Sequence, residues 1–169
     1  MRTPSGRAVR PTPARVKEAL FSILAGRVDD ANVLDLFAGT GALGFEALSR
    51  GAAHATFVEA HRPTAEALRG AALALGLAER TTVVTAPAER AARGVAGRFD
   101  LVFADPPYAQ AYPGATFAVL RERGAIDEHS LVVYEHSSRE PAPADPGFHL
   151  ERTATYGEVA LAFLRPEPA

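Results

Sequence analysis

Short apolar runs alternate with stretches of helical periodicity along most of the chain, and this alternation restricts the fold more than any other feature. Five runs are apolar almost throughout, which is typical of strands buried on both faces of a parallel sheet. They read NVLDLF, ATFVEA, TTVVTA, FDLVFA and SLVVYE. Helical periodicity between them predicts helices from Gly41 to about Arg50, from Pro63 to Leu75, shortly after Pro87, and across Thr116–Arg123. The sequence therefore predicts a doubly wound α/β sheet.

The two ends of the chain depart from this alternation. Near the N-terminus, Thr12 is predicted to cap a helix whose first residue is Pro13 and which ends near Gly26. Near the C-terminus, GFHLERTATYGEVALAFLR contains two strand-like runs joined around Gly157 with no helix between them. These runs predict an antiparallel hairpin. With the five parallel strands, the hairpin completes a seven-stranded, mostly parallel, Rossmann-like sheet.

Composition excludes several classes of protein. The 169 residues are 47% hydrophobic, enough for one domain with its own core. The chain has no cysteine, which excludes disulfides, thiolate metal sites and a cysteine nucleophile. No apolar run approaches the roughly 20 residues that span a bilayer, and MRTPSGRAVRP lacks the apolar core of a signal peptide. We therefore expect a cytoplasmic protein.

The N-terminal segment is basic although the whole chain is not. The net charge is −2, which argues against general coating of nucleic acid. The basic residues that precede the first acid, Glu18, are Arg2, Arg7, Arg10, Arg15 and Lys17. Such a segment is either a solvated tail or an edge that binds phosphates.

A glycine-rich loop follows the first predicted strand. The stretch LDLFAGTGALGFEAL contains G-x-G-x-x-G at Gly39, Gly41 and Gly44, with Asp35 four residues before the first glycine. A dinucleotide would place its pyrophosphate at the following helix N-terminus, where Asp35 would repel it. S-adenosylmethionine has no phosphate and carries an ammonium group that Asp35 can attract. Glu59 suits the ribose hydroxyls of either cofactor and does not distinguish them. The position of Asp35 therefore favours S-adenosylmethionine but does not exclude a dinucleotide.

The stretch FDLVFADPPYAQ provides a second candidate group at the end of another strand. Two prolines make the segment rigid and remove backbone donors, while its carbonyls remain able to accept hydrogen bonds. Asp105 adds a carboxylate acceptor, and Tyr108 adds an aromatic face. This set suits a planar base with an exocyclic amino group. Because the carboxyl ends of parallel strands meet at one edge, we expect Asp35, Glu59 and Asp105 to converge.

These motifs resemble those of class I methyltransferases that act on exocyclic amines of nucleobases. Together with RPTPARVKEALFSIL, VLDLFAGTGALGFEALSRGA, FVEA, DLVFADPPY, LVVYEHS and YGEVALAFL, the chain resembles the bacterial 16S ribosomal RNA guanine-N2 methyltransferase family that modifies guanine-966. The resemblance runs from about Arg10 to Leu164. It implies a single class I methyltransferase domain over residues 1–169, with a basic lead and helix in 1–26 and a cofactor-binding and catalytic core in 32–164.

The resemblance also implies roles for individual residues. It implies that S-adenosylmethionine is bound by Asp35, Phe37, Gly39, Gly41 and Glu59. It implies that the target guanine is held by the catalytic segment Asp105, Pro106, Pro107 and Tyr108. The candidate contacts to 16S ribosomal RNA, or to the small ribosomal subunit particle, are Arg7, Arg10 and Arg15. No metal and no membrane partner is implied, and nothing in the sequence requires more than a monomer.

Several alternatives and one contact stay open. The same site chemistry would serve an adenine-N6 or cytosine-N4 methyltransferase of DNA or RNA, and a catalytically silent module of this fold would only bind RNA or protein. A nicotinamide dehydrogenase is disfavoured by Asp35. After the third strand, Thr85-Ala86-Pro87-Ala88 offers no acid to the adenine amine of the cofactor, so backbone groups are left for that contact. The histidines lack metal-ligand spacing, and only His136, at a strand end, is a candidate for lining the site.

Overall fold

The apolar runs form the strands of one seven-stranded sheet. This is seen in a computed structural model of the chain that describes residues 12–107 and 110–168. The strands are β1 (Asn32–Asp35), β2 (His54–Val58), β3 (Thr81–Val84), β4 (Leu101–Ala104), β5 (Leu131–Ser137), β6 (Phe148–Tyr156) and β7 (Val159–Pro166). Their order across the sheet is β3-β2-β1-β4-β5-β7-β6. The predicted doubly wound sheet with a C-terminal antiparallel hairpin is confirmed.

The order of the strands places a topological switch point between β1 and β4. Strands β1 to β5 pair in parallel, and the chain leaves β3 on one side of β1 to continue with β4 on the other. β7 pairs antiparallel with β5, and β6 follows at the edge. β7 is buried along most of its length whereas β6 is largely exposed, which explains why β7 takes the inner position.

In the part of the chain that the structure describes, five helices cover the two faces of the sheet. They are α1 (Ala14–Leu24), α2 (Ala42–Ser49), α3 (Arg62–Ala74), α4 (Ala88–Ala91) and α5 (Gly114–Glu122), with single 3-10 turns at Ala25–Arg27 and Ala78–Arg80. The apolar faces of α1, α2 and α3 share one core layer, and those of α4 and α5 share the other. Among the residues described, no helix combines the length and the apolar character needed to cross a membrane.

Thr12 does not cap the first helix, so that prediction was wrong. The residue at the cap is Pro13, which makes no side-chain capping bond, and helix α1 begins at Ala14. The hydroxyl of Thr12 instead donates to Oε1 of Glu135 at 3.5 Å. Glu135 is buried near the end of β5, where a carboxylate requires hydrogen-bond donors. The hydroxyl therefore serves a carboxylate far away in the sequence rather than its own helix.

Candidate active site

Four neighbouring strands each carry a carboxylate at or just beyond their carboxyl end. Across the sheet these residues are Glu59 after β2, Asp35 in β1, Asp105 after β4 and Glu135 in β5. Three of the four are buried, and Asp105 is half-buried. The structure thus brings Asp35, Glu59 and Asp105 to one edge of the sheet, as expected. Tyr108, the last residue of the predicted base-binding segment, lies outside the described residues.

The glycine loop between β1 and α2 is held in place by Glu59. Gly39 and Gly41 both have positive φ values, 55° and 82°, which glycine adopts without steric cost. Oε1 of Glu59 accepts the N–H of Gly39 at 3.1 Å, and Oε2 accepts the N–H of His61 at 2.8 Å. Glu59 therefore ties the loop to the start of α3. The sequence alone indicated a ribose contact for Glu59 and did not indicate this structural role.

Asp35 lies behind the glycine loop with only 3% of its surface exposed. Its Oδ2 accepts the N–H of Gly44 at 3.2 Å. Burial raises the pKa of Asp35 to about 7, with smaller contributions from the charges of Asp105 and Glu59, while the bond from Gly44 acts in the opposite direction. A cation bound at this edge would relieve the repulsion among the carboxylates and favour the ionised form of Asp35.

A cavity of about 260 Å³ opens beside Glu59. Its lining combines apolar groups with two carboxylates: Leu36, Phe37, Val58, Glu59, Ala60, Pro87, Ala88, Glu89 and Gln110. Apolar walls with a few polar groups are typical of a site for a nucleoside-sized ligand. The sequence alone did not indicate that Glu89 lines this cavity. The signal was available, since Glu89 is the first acid after β3 and stands at the start of a predicted helix.

The side chain of Thr85, which follows β3, is hydrogen-bonded to Arg69 and does not line the cavity. Its Oγ1 accepts a hydrogen bond from Arg69 at 3.1 Å, and Arg69 also donates to the carbonyl of Val83. The cavity lining begins two residues later, with Pro87. The stretch from Thr85 to Ala88 thus contributes Pro87 and Ala88 to the cavity, and the nearest acid to them is Glu89.

A row of aromatic side chains lies on the β5 side of Asp105, whereas Asp35 and Glu59 lie on the side of β1 and β2. The ring of Tyr112 meets Tyr134 edge-on at 5.1 Å, and Tyr134 stacks on His136 at 5.3 Å. The hydroxyl of Tyr112 donates to Oδ2 of Asp145 at 2.9 Å. Burial raises the pKa of Tyr134, and the charges of Glu140 and Asp105 add to this effect. Tyr112, which precedes α5, therefore packs against β5, and Asp105 is close enough to the aromatic row for its charge to act on Tyr134.

Of the three arginines predicted to contact RNA, the structure describes only Arg15. Arg7 and Arg10 lie outside the described residues. Arg15 is exposed in the first turn of α1, and its guanidinium approaches the turn at Gly157 between β6 and β7. No group of three or more histidine or acidic residues that could hold a metal ion occurs in the part of the chain that is described.

Comparison with known proteins shows the family to which this chain belongs. The family model described as conserved hypothetical protein 95 matches residues 1–165. Ribosomal RNA small subunit methyltransferase D of Escherichia coli K12 is 35% identical over 165 residues, which cover 97% of this chain and 83% of the relative. The protein of the same name from Haemophilus influenzae is 32% identical over 155 residues, covering 90% and 80%.

Solved structures show the same fold. The structure of the Escherichia coli protein yhhF has a TM-score of 0.87 at 34% identity and covers 100% of this chain and 92% of that chain. An RNA methyltransferase from Salinibacter ruber, solved with S-adenosyl-L-homocysteine, has a TM-score of 0.69 at 17% identity, covers 95% and 96%, and shows similarity of fold. The chain therefore belongs to the family described as conserved hypothetical protein 95, a family of S-adenosylmethionine-dependent methyltransferases.

Proposed function

We propose that this protein transfers a methyl group from S-adenosylmethionine to the exocyclic N2 amine of a guanine in 16S ribosomal RNA. The observation that carries the proposal is the buried Asp35 beside Glu59 and Asp105, behind a glycine loop with positive φ values. This edge of the sheet favours a cationic ligand and disfavours a pyrophosphate. S-adenosylmethionine brings an ammonium and a sulfonium, so its charge fits the site.

Each part of the cofactor has a partner in the chain. Asp35 attracts the ammonium of the methionine moiety, and the loop at Gly39 and Gly41 lets the backbone approach the ligand closely. Glu59 accepts from the ribose hydroxyls in addition to the two N–H groups that it already binds, since each carboxylate oxygen can accept more than one bond. Phe37 lies along the adenosine cavity, and Glu89 accepts from the adenine amine.

Asp105 is the residue that acts on the target amine. The lone pair of an exocyclic guanine amine is delocalised into the ring, which makes the amine a weak nucleophile. Acceptance of an amine hydrogen by Asp105 and a backbone carbonyl of the same segment favours rehybridisation and stabilises the charge that develops on nitrogen. Pro106 and Pro107 keep this segment rigid, so that the amine is aligned with the methyl group. The N–C bond forms as the S–C bond breaks, and the surplus proton leaves the amine through Asp105.

The RNA substrate is supported by the relatives. The curated relatives from Escherichia coli and Haemophilus influenzae are named for small-subunit ribosomal RNA. A base stacked inside a duplex cannot present its amine to a pocket at the sheet edge, so the guanine is in a loop or flipped out of its helix. Arg7, Arg10 and Arg15 contact the phosphates around it. The exposed position of Arg15 is compatible with this role.

Transfer of labelled methyl groups tests the proposal. The protein is incubated with labelled S-adenosylmethionine and with undermodified 16S RNA, either naked or assembled in small subunits. Digestion to nucleosides should then yield labelled N2-methylguanosine. Labelled N6-methyladenosine or N4-methylcytidine would overturn the guanine assignment. Calorimetric titration with S-adenosylhomocysteine and with NAD tests the cofactor independently, and tight binding of NAD alone would overturn the methyltransferase proposal.

A further inference from the structure

One buried polar atom near the proposed base-binding site has no hydrogen-bond partner within the described residues. It is Nε2 of His136, and this residue has 6% of its surface exposed. A buried nitrogen without a partner is uncommon in a folded protein and often marks a place where a ligand completes the hydrogen bonding. His136 lies near the carboxyl end of β5, one strand away from the strand that leads to Asp105.

The other ring nitrogen determines what Nε2 can do. Nδ1 of His136 lies 2.8 Å from the backbone carbonyl of Ser137. A carbonyl oxygen only accepts hydrogen bonds, so Nδ1 carries the hydrogen and donates it. In the neutral imidazole, Nε2 is then an acceptor with an available lone pair. The group that completes the site must therefore be a hydrogen-bond donor.

Strand register places His136 next to the proposed catalytic segment. Ala104 at the end of β4 is paired with Tyr134 in β5. Asp105 follows Ala104 directly, and its charge acts on Tyr134, the residue on which His136 stacks. The stacking of His136 on Tyr134 also places the imidazole on the sheet face against which Tyr112 packs.

We propose that Nε2 of His136 accepts a hydrogen bond from N1–H of the target guanine and thereby selects guanine over other amino-bearing bases. The inference rests on the proposed methylation of a guanine amine. In guanine, the amine-bearing carbon lies between two ring nitrogens, and one of them, N1, carries a hydrogen. In adenine and cytosine, the corresponding N1 and N3 are acceptors. Asp105 can accept from the amine of any of the three bases, whereas an acceptor beside it matches only guanine.

Entry of the base requires a local rearrangement. Nε2 is shielded from water by the surrounding groups of the fold. The target base must therefore displace the groups that cover the imidazole before it reaches Nε2. Its N1–H then supplies the hydrogen bond that no described residue gives to Nε2. A base with an acceptor at this position would face the lone pair of Nε2 and would leave both atoms unsatisfied.

Two base analogues separate this contact from the chemistry at the amine. In RNA fragments, 2-aminopurine and 2,6-diaminopurine keep the 2-amine of guanine but have an unprotonated N1. We expect wild-type protein, in the presence of S-adenosylhomocysteine, to bind the guanine fragment roughly 10- to 100-fold more tightly than either analogue. Binding is measured rather than rate because the amines of these bases differ in intrinsic reactivity. Equal affinity for guanine and both analogues would overturn the inference without any use of a variant.

Substitutions of His136 test the same contact from the protein side. His136→Phe keeps a ring to stack on Tyr134 and removes the acceptor, so kcat/KM for the guanine substrate should fall about 10- to 100-fold. His136→Gln can turn an amide N–H toward N1 and should reduce the preference for guanine over 2-aminopurine at least about 10-fold. The matched control is His149→Phe at an exposed position in β6, which should change neither quantity.

The outcomes separate this inference from the proposed function. Cofactor binding by all three variants is measured first, and it should equal that of wild type because His136 does not line the cofactor cavity. If wild type methylates adenine or cytosine instead of guanine, the proposed function fails and the inference fails with it. If wild type methylates guanine but His136→Phe retains full kcat/KM and full preference over 2-aminopurine, only the role of His136 is overturned.

Discussion

At the residue scale, binding of the proposed cofactor and burial in the fold favour opposite protonation states of Asp35. Binding of a cation requires the ionised carboxylate, whereas burial and the neighbouring charges of Asp105 and Glu59 raise its pKa to about 7. In the unliganded protein the group is therefore largely protonated below that pH. A carboxyl whose pKa is higher in the folded than in the unfolded state binds more protons when folded, so the stability of the unliganded protein should decrease as pH rises from about 4 to about 7.

The affinity for the cofactor should have the opposite dependence on pH. Since only the ionised form of Asp35 pairs with the ammonium, S-adenosylmethionine should bind roughly 10-fold more tightly at about pH 8 than at about pH 6. In Asp35→Asn, affinity should be reduced and this rise with pH should be lost. Calorimetry at several pH values provides the test, with Glu122→Gln at an exposed position as the control. A pH dependence in Asp35→Asn equal to that of wild type would contradict the assignment.

Substitution of Asp105 should affect methyl transfer without affecting the affinity for the cofactor. Its proposed partner is the target amine, so Asp105→Ala should reduce methyl transfer at least about 100-fold while the affinity for S-adenosylmethionine stays within a few-fold of wild type. Single-turnover rates with RNA and calorimetry without RNA measure the two quantities. The comparison variant is Glu59→Ala, which should lose affinity for the cofactor. Near wild-type transfer by Asp105→Ala would show that this carboxylate has only a structural role.

At the element scale, α2 packs against β2 so closely that its glycine has no room for a side chain. A Cβ on Gly44 would overlap the ring of Phe57, which is fully buried and packs against Phe45 at 4.7 Å. The N–H of the same glycine is the donor to Asp35. The position of α2 therefore links the core to the proposed cofactor site, because a shift of the helix would move the donor of Asp35.

Two glycine-to-alanine substitutions test this packing. Gly44→Ala should lower the free energy of unfolding by roughly 1–3 kcal/mol, since the ring of Phe57 cannot move away in a filled core. Gly70→Ala is the matched control, because Gly70 is an exposed residue in α3 and its added Cβ would meet nothing within 4 Å. That variant should gain about 0.5–1 kcal/mol from helix propensity. Urea denaturation measures both, and a Gly44→Ala protein as stable as Gly70→Ala would refute the packing argument.

At the scale of the whole molecule, charge is divided between an acidic sheet edge and a basic N-terminal lead. The carboxylates at the ends of β2, β1, β4 and β5 suit a cationic cofactor but repel RNA phosphates. The hydroxyl of Thr12 donates to Glu135 in this row, so the first of the described residues lies beside these carboxylates. We expect the arginines that precede Thr12 in the sequence to offset this repulsion and to attract RNA.

If the lead binds phosphates, RNA affinity must fall steeply with salt through counterion release. Replacement of Arg7 and Arg10 together by alanine should reduce the slope of log affinity against log salt by roughly one to two units. A charge-matched control replaces the exposed residues Arg90, in α4, and Arg93, just after it, and should leave the slope unchanged. Unchanged slope and affinity in the Arg7 and Arg10 variant would mean that the lead is only a solvated tail.

The sequence by itself determined the elements of this protein and most of the candidate site. Buried strands and amphipathic helices repeat with periods of a few residues, so the apolar pattern locates them to within two residues or so. The glycines after β1 and the acids at three strand ends are equally local signals. Because parallel strands end at one edge, these signals also predicted that Asp35, Glu59 and Asp105 come together, as the structure shows.

Only the tertiary structure decided which distant groups meet and how they are charged. Thr12 bonds to Glu135 across 123 positions of sequence, and no pattern within one turn of helix contains that partner. The raised pKa of Asp35 depends on complete burial and on two other strands, and the unpartnered Nε2 of His136 depends on what covers it. Local periodicity reports which face of an element is apolar, whereas burial and hydrogen bonding of polar groups arise from the packing of elements that are far apart in the chain.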